Sequence, residues 1–277
     1  MFDTILIAVD GSDCAHRAAK HGLELAARYD AAVDVVTVYG GETEEGNATL
    51  DDVADLAADV GVPVETDLLS GKPATAIAEY AAERGSDLVV VGRRGRSGVR
   101  ARLLGSVTER VLRRSPAPVL TVPAADPDDE TGADYGDILV TTDGSEAAEA
   151  AAPYGADLAR RFGAAFHALN VVDVQAEAGV FDAGGVDSEY VERLETRGHQ
   201  AVDELVAAVD VPDLDVRRSV VRGRPHDAIG AYVEENDVDL VVMASEGQSN
   251  LAGQQLGTVA GRVLRTVDRP VLVVTEN

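Results

Sequence analysis

The sequence predicts an α/β protein built from two tandem domains, each a doubly wound, five-stranded parallel sheet. Two observations carry this. The first is an internal repeat: Ile5-Leu6-Ile7-Ala8-Val9-Asp10-Gly11-Ser12 returns 133 residues later as Ile138-Leu139-Val140-Thr141-Thr142-Asp143-Gly144-Ser145. Two further blocks return after 152 residues: Gly71-Lys72-Pro73 through Asp87-Leu88-Val89-Val90, and Leu104-Gly105-Ser106-Val107, matched by Leu256-Gly257-Thr258-Val259. The second observation is that, within each copy, continuous apolar runs alternate with segments of helical period. That is the pattern of parallel strands covered on both faces and joined by right-handed crossovers.

The elements follow in order. Ile5 to Val9 is an apolar strand closed by Asp-Gly-Ser, and Ala15, Ala18, Ala19, Gly22, Leu23 and Ala26 then recur at helical spacing. Ala32 to Tyr39 reads as a strand, Leu50 to Val60 as a helix, Val62 to Leu69 as a strand and Ala74 to Glu83 as a helix. Leu88 to Gly92 is a strand, Ser106 to Arg113 a helix and Val119 to Val122 the last strand. The second copy repeats this with 152 less 133, or 19, extra residues, placed around Val174 to Tyr190. The domains are expected at 1–124 and 137–277, joined by an acidic linker, 125–136, rich in Asp, Gly and Pro and lacking a hydrophobic period.

Composition narrows the function. The apolar share of 45% supplies a core and excludes a disordered acidic tail. With 24 basic residues against 49 acidic ones the formal charge is −25, which excludes nucleic-acid wrapping and repels an anionic membrane surface. All but two of the basic residues, Lys20 and Lys72, are arginine, and Asp outnumbers Glu. This composition resembles that of proteins from extreme halophiles, whose self-repulsion molar salt screens. Cys14, the one cysteine, excludes an internal disulfide, and His16, His21, His167, His199 and His226 show no ligand spacing, so they read as surface or structural. The run Ile5 to Val9 is too short for a signal peptide or a membrane span, and the chain is expected to be cytoplasmic.

Ligands of doubly wound sheets sit beyond the carboxyl ends of the strands, and two loops there carry suitable groups. In Asp10-Gly11-Ser12, Asp10 offers a hydrogen-bond acceptor to a sugar or base and Ser12 an N-cap; the same three residues also make a plain turn and cap. In Gly92-Arg93-Arg94-Gly95-Arg96-Ser97-Gly98, leading to Gly105-Ser106, glycines allow close backbone approach and the next helix start offers an anion site. Arginines 93, 94, 96, 100, 102, 110, 113 and 114 against Glu109 give this stretch a charge of +7, suited to neutralising an anion or to balancing acidic segments of the chain. Ser106-Val107-Thr108-Glu109 also fits a capping box. The chain contains no P-loop, and the first strand lacks the Gly-x-Gly-x-x-Gly of a dinucleotide fold.

The opening strand with Asp-Gly-Ser, the Gly-Lys-Pro loop, the Asp-Leu-Val-Val-Val-Gly strand and the spacing Gly92-x2-Gly95-x9-Gly105-Ser106 together resemble the universal stress protein family. Both copies show the pattern, so the resemblance covers nearly the whole chain. It implies flavodoxin-like (Rossmann-like) domains that bind ATP, with or without Mg²⁺, or AMP or another adenine nucleotide. On this resemblance the nucleotide-binding residues are Asp10, Gly11, Ser12, Val38, Val91, Gly92, Arg94, Gly95, Gly105, Ser106 and Val107. Asp10 and Val38 would meet ribose and adenine; Gly95, Gly105, Ser106 and Val107 would meet phosphates. Asp143, Val171, Ala244, Gly247, Gly257, Thr258 and Val259 are the candidates of the second copy. There Ala244 replaces the first motif glycine and the loop charge falls to +1, so the first copy is expected to bind ATP more tightly. The resemblance also implies that Val119 to Val122 and Val271 to Val274 pair within the chain as a built-in pseudo-dimer, with a homodimer as a further possibility. It implies an ATP-binding regulator of the stress response with no or slow hydrolysis. The alternatives are a slow ATPase or self-phosphorylating protein, with Ser106 or Thr108 as acceptor, and a nucleotide-free interaction module.

Overall fold

Apolar residues occupy five of the six positions of β1 (Thr4–Val9) and all five are buried, as a central parallel strand requires. The computed structural model describes residues 1–40, 43–94, 104–124, 132–174, 188–209, 212–247 and 256–275. In it the chain divides into two compact units. The first comprises Met1–Asp134 with Asp268–Thr275, the second Tyr135–Val267.

In the first unit β1 lies between β2 (Ala32–Val38) and β4 (Leu88–Gly92), parallel to both. β3 (Val64–Leu69) flanks β2 and β5 (Val119–Val122) flanks β4, giving the doubly wound order β3-β2-β1-β4-β5. The chain's last strand, β10 (Val271–Val274), belongs to this unit and runs antiparallel to β5, with Val271 opposite Thr121, Leu272 opposite Leu120 and Val273 opposite Val119. The expected pairing of the two last strands is therefore formed, and it covers the edge that β5 would otherwise expose.

Helix α1 (Asp13–Tyr29) turns Ala18, Ala19 and Leu23 fully inward. It starts where the sequence places it: Gly11 adopts φ +73°, a left-handed conformation natural to glycine, and Ser12 Oγ accepts the Ala15 N–H at 3.2 Å. Helices α2 (Thr43–Val60), α3 (Pro73–Arg84) and α4 (Ser106–Leu112) complete the described elements of the unit. α2 begins seven residues before the expected Leu50, because its first two turns are mostly polar and carry no apolar period.

The second unit repeats the plan with β6 (Asp137–Thr142), β7 (Ala165–Val172), β8 (Val216–Arg222) and β9 (Leu240–Ala244), all parallel in the order β9-β6-β7-β8. Its fifth expected strand is β10, which packs in the first unit. α5 (Glu146–Phe162) opens as α1 does, with Gly144 at φ +78° and Ser145 Oγ accepting the Ala148 N–H at 3.2 Å. α6 (Ser188–Ala207), α7 (Pro225–Glu235) and α8 (Thr258–Thr266) follow. Gly198 of α6 stands 152 residues after Gly46 of α2, and neither has room for a Cβ, which would lie 2.6 Å from Asn170 Oδ1 or from Leu68 Cδ1 respectively. The larger offset is thus already in place at α6, so the extra residues precede Gly198. Residues 175–187 and the linker residues 125–131 lie outside the described part.

One buried polar position is kept in both repeats with a different side chain. Asp34 on β2 accepts from Arg84 Nη2 at 2.6 Å and Nε at 3.1 Å; 133 residues later His167 on β7 lies 2.8 Å from Asp137 Oδ1 and 3.0 Å from Tyr232 Oη. His167 is fully buried, a structural and not a surface residue.

A chain carrying −25 charges is held together against its own repulsion. Raising KCl from about 0.1 M to about 1 M shortens the screening length from roughly 10 Å to roughly 3 Å. The thermal unfolding midpoint is expected to rise by about 5 °C or more over that range. A calorimetric midpoint that stays flat or falls would show that attractive ion pairs outweigh the repulsion.

Candidate functional site

In the first unit α1 packs beside α2 and α3 beside α4, and in the second α5 packs beside α6 and α7 beside α8. The helices after the central strand and after its neighbour β4 or β9 thus belong to different pairs, an arrangement that opens a crevice beyond the strands' carboxyl ends. In the second unit this crevice is a cleft of about 470 Å³ between the ends of β6, β7 and β9 and the start of α8. Asp143, Val171, Ala244, Gly247, Gly257, Thr258 and Val259, the residues singled out in the second repeat, all line it.

Local geometry explains how they converge. Asp143 Oδ1 accepts the Ser145 N–H at 3.1 Å, which fixes the carboxylate at the rim. The loop after β9 passes over it: a Cβ on Gly247 would stand 2.4 Å from Asp143 Oδ2. The Gly257 N–H donates to the Ser245 carbonyl at 2.6 Å, tying the same loop to the start of α8. Gly257 is the N-cap, with no side-chain hydrogen bond at that end, and Thr258 is the first helical residue. Ala244 lies in strand conformation without positive φ, so alanine costs no backbone strain there.

Sequence reasoning missed the wall supplied by α6, which brings Arg197 and Gly198 to the cleft, and Asn170, whose Nδ2 donates to the Thr142 carbonyl at 2.8 Å. The signal available for α6 was the glycine pair 46 and 198 at the 152-residue offset.

The first unit builds the same corner. Asp10 Oδ1 accepts from Ser12 N at 3.1 Å and from Ser12 Oγ at 2.6 Å, and Ser12 Oγ lies 3.4 Å from the Arg94 carbonyl oxygen. The Gly105 N–H donates to the Arg93 carbonyl at 2.9 Å, as Gly257 does to Ser245. Val38 is half-buried at the end of β2, Arg94 is half-buried, Val107 is exposed and Val91 is buried within β4. Gly95, with Arg96, Arg100 and Arg102, lies outside the described residues.

Several expectations change here. Gly92 serves the fold: a Cβ there would lie 2.9 Å from the backbone of Cys14 and of Ala15, so α1 packs directly on the end of β4. The capping box does not form, because Gly105 is the N-cap of α4 and Ser106 the first helical residue, while Glu109 instead accepts from Arg113 Nη2 at 3.0 Å. Thr108 is buried and its Oγ1 donates to the Gly92 carbonyl at 2.9 Å. Arg93 is only 3% exposed and its Nη2 donates to the Arg269 carbonyl at 2.6 Å, so its charge points into the unit and away from solvent. Burial pushes its pKa down to about 10. Beside it the Cys14 Sγ donates to the Val122 carbonyl at 3.2 Å and accepts the Arg94 N–H at 3.4 Å, and burial raises the thiol's pKa.

A family model described as "Universal stress protein family" matches residues 1–123 and 134–275. The chain belongs to the universal stress protein family. A universal stress protein of Mycolicibacterium smegmatis is 29% identical over 296 residues, covering 98% of this chain and 96% of that one. One from Methanocaldococcus jannaschii is 36% identical over 140 residues, 44% of this chain and 82% of its own. The crystal structure of a universal stress protein from Archaeoglobus fulgidus DSM 4304 superposes with a TM-score of 0.74 over the full length of both chains at 21% identity, which bears on the fold alone. Among the described residues of this family member, no helix is long and apolar enough to cross a membrane, and no group of three or more His, Cys, Asp or Glu side chains is placed to hold a metal ion.

Proposed function

We propose that the chain is an adenine-nucleotide-binding regulatory module of the stress response, holding ATP at the first repeat without rapid turnover. The observation that carries this reading is the convergence of all seven motif positions of the second repeat on one cleft at the sheet's switch point, with the same turn and helix-start hydrogen bonds in the first repeat. A carboxylate fixed at the rim, Asp10 or Asp143, suits a ribose hydroxyl. A valine at the next strand's end, Val38 or Val171, suits the face of a base. The N–H groups at the following helix start suit a phosphate, and in the first repeat Arg94 adds a cation.

No side chain in this arrangement is assigned as a general base, and the reading therefore gives the chain binding rather than turnover. A self-phosphorylation reading now rests on Ser106 alone, which is exposed, since the Thr108 hydroxyl is buried and engaged with Gly92. The test is to purify the full chain in molar KCl, denature it and identify released nucleotide by mass spectrometry. ATP or another adenine nucleotide is expected. A nucleotide-free protein that shows no calorimetric response to ATP would sink the proposal.

A further inference from the structure

The second repeat looks at first like a decayed copy of the first, because its motif begins with Ala244 and its loop has lost most of its arginines. Its cleft argues otherwise. At about 470 Å³ it falls within the range of small-molecule sites, and every motif position still faces it. What differs is charge. The two repeats read Gly92-Arg93-Arg94-Gly95 and Ala244-Ser245-Glu246-Gly247 at the same loop, so Glu246 stands where the first repeat has Arg94. Four carboxylates line the cleft, Asp143, Asp173, Glu204 and Glu246, against Arg197 as the one cation among its described lining residues.

A triphosphate laid along this cleft would bring its most charged end to the loop that carries Glu246 and crosses the Asp143 carboxylate. Glu246 and Asp143 are exposed at the cleft rim, and like charges brought together there repel within the screening length of the solution. The features that favour an anion are Arg197 and the start of α8, whose N-cap is a glycine with no side-chain hydrogen bond. A helix end of this kind is equivalent to roughly half a positive charge, sufficient for one phosphate group.

We infer that the second cleft selects purine nucleosides bearing at most one phosphate and leaves the polyphosphate to the first repeat. This rests on the adenine-nucleotide reading above. Glu246 is the residue that sets the selectivity, by repelling charge at the phosphate end. Adenosine and AMP enter with the base against Val171 and the ribose at Asp143, as ATP would, but without a charged tail beside Glu246.

The experiment uses the full chain in about 0.1 M KCl, where the screening length is roughly 10 Å, with Asp10→Ala added to weaken the first repeat. Adenosine, AMP and ATP are titrated calorimetrically, and 8-azidoadenosine crosslinking followed by peptide mapping locates the occupied site. Adenosine and AMP are expected to bind at least about tenfold more tightly than ATP, with crosslinks on β7 or α6. Adding Glu246→Arg is expected to strengthen ATP by about tenfold or more while changing adenosine by less than about threefold. ATP binding as tightly as AMP in the Asp10→Ala chain overturns the inference. So does an empty second cleft in a wild-type chain that binds ATP at the first repeat, a result that would leave the broader reading standing. A wild-type chain that binds none of the three compounds overturns both.

Discussion

Gly92→Ala is expected to destabilise the chain by about 2 kcal/mol, although the equivalent residue of the second repeat is already alanine. The added Cβ would stand 2.9 Å from the Ala15 nitrogen and the Cys14 carbonyl carbon, and 3.0 Å from the Cys14 oxygen. These are backbone atoms at the head of α1, so no side chain can swing aside and the helix itself must retreat. That head carries the Ser12 cap, the Ser12 contacts to Asp10 and Arg94, and the Cys14 bond to Val122. The loss of stability should therefore come with a loss of nucleotide affinity at the first repeat. Urea unfolding and ATP titration of the same variant test both. The control is Ala244→Gly, which loses one buried methyl group and adds the backbone freedom of glycine in a strand, together about 1–1.5 kcal/mol. If Gly92→Ala proves no worse than that control, α1 is not seated on β4 as described.

The two glycine-motif loops show how far sequence reasoning reached. The buried runs Leu88 to Gly92, which ends on glycine, and Val119 to Val122, which ends before Pro123, placed β4 and β5 to the residue, because a strand buried on both faces has no polar side to blur its ends. The Asp-Gly-Ser turns were legible for a similar local reason: a left-handed glycine followed by a serine cap leaves few alternatives. The candidate residues of the second repeat came from the family resemblance, carried across the repeat at an offset of 133 residues for Asp143 and Val171 and of 152 along β9 and α8.

What escaped the sequence was anything decided by direction or by partners distant in the chain. Arg93 and Arg94 are adjacent and chemically identical, yet one is buried against the Arg269 carbonyl and the other lies half-buried beside Ser12. Counting both toward a +7 anion site was therefore an overcount. Ser106 satisfies the capping-box pattern, but Gly105 takes the N-cap because its N–H is held by the Arg93 carbonyl, and this moves the serine into the first helical turn. The wall supplied by α6 was hidden because the extra residues of the second copy obscured its alignment with α2.

Arg93→Ala is expected to cost about 3 kcal/mol, and the loss should fall first on β10. The wild-type guanidinium reaches from the end of β4 to the Arg269 carbonyl, two residues before β10 begins, while the Arg93 N–H holds the Val122 carbonyl at the end of β5. Removing the side chain takes this donor from the Arg269 carbonyl, worth about 1–3 kcal/mol, and opens a cavity beside the β5–β10 pairing that adds to it. Arg93→Met separates these contributions. It retains most of the volume and removes the burden of a buried cation, so its cost should fall to about 1–2 kcal/mol. The pH dependence gives an independent check with a definite sign. Burial sets the folded pKa at about 10, below the value of a free guanidinium, so the folded state pays for the charge at neutral pH and is relieved of that cost as pH rises through 10. The stability gap between wild type and Arg93→Met should accordingly widen above pH 10, whereas a side chain exposed to solvent would leave it constant. Hydrogen exchange locates the effect: the amides of Leu272 and Val273 should exchange faster in Arg93→Ala, with β1 unchanged. Equal acceleration across the sheet would mean that Arg93 supports the unit as a whole.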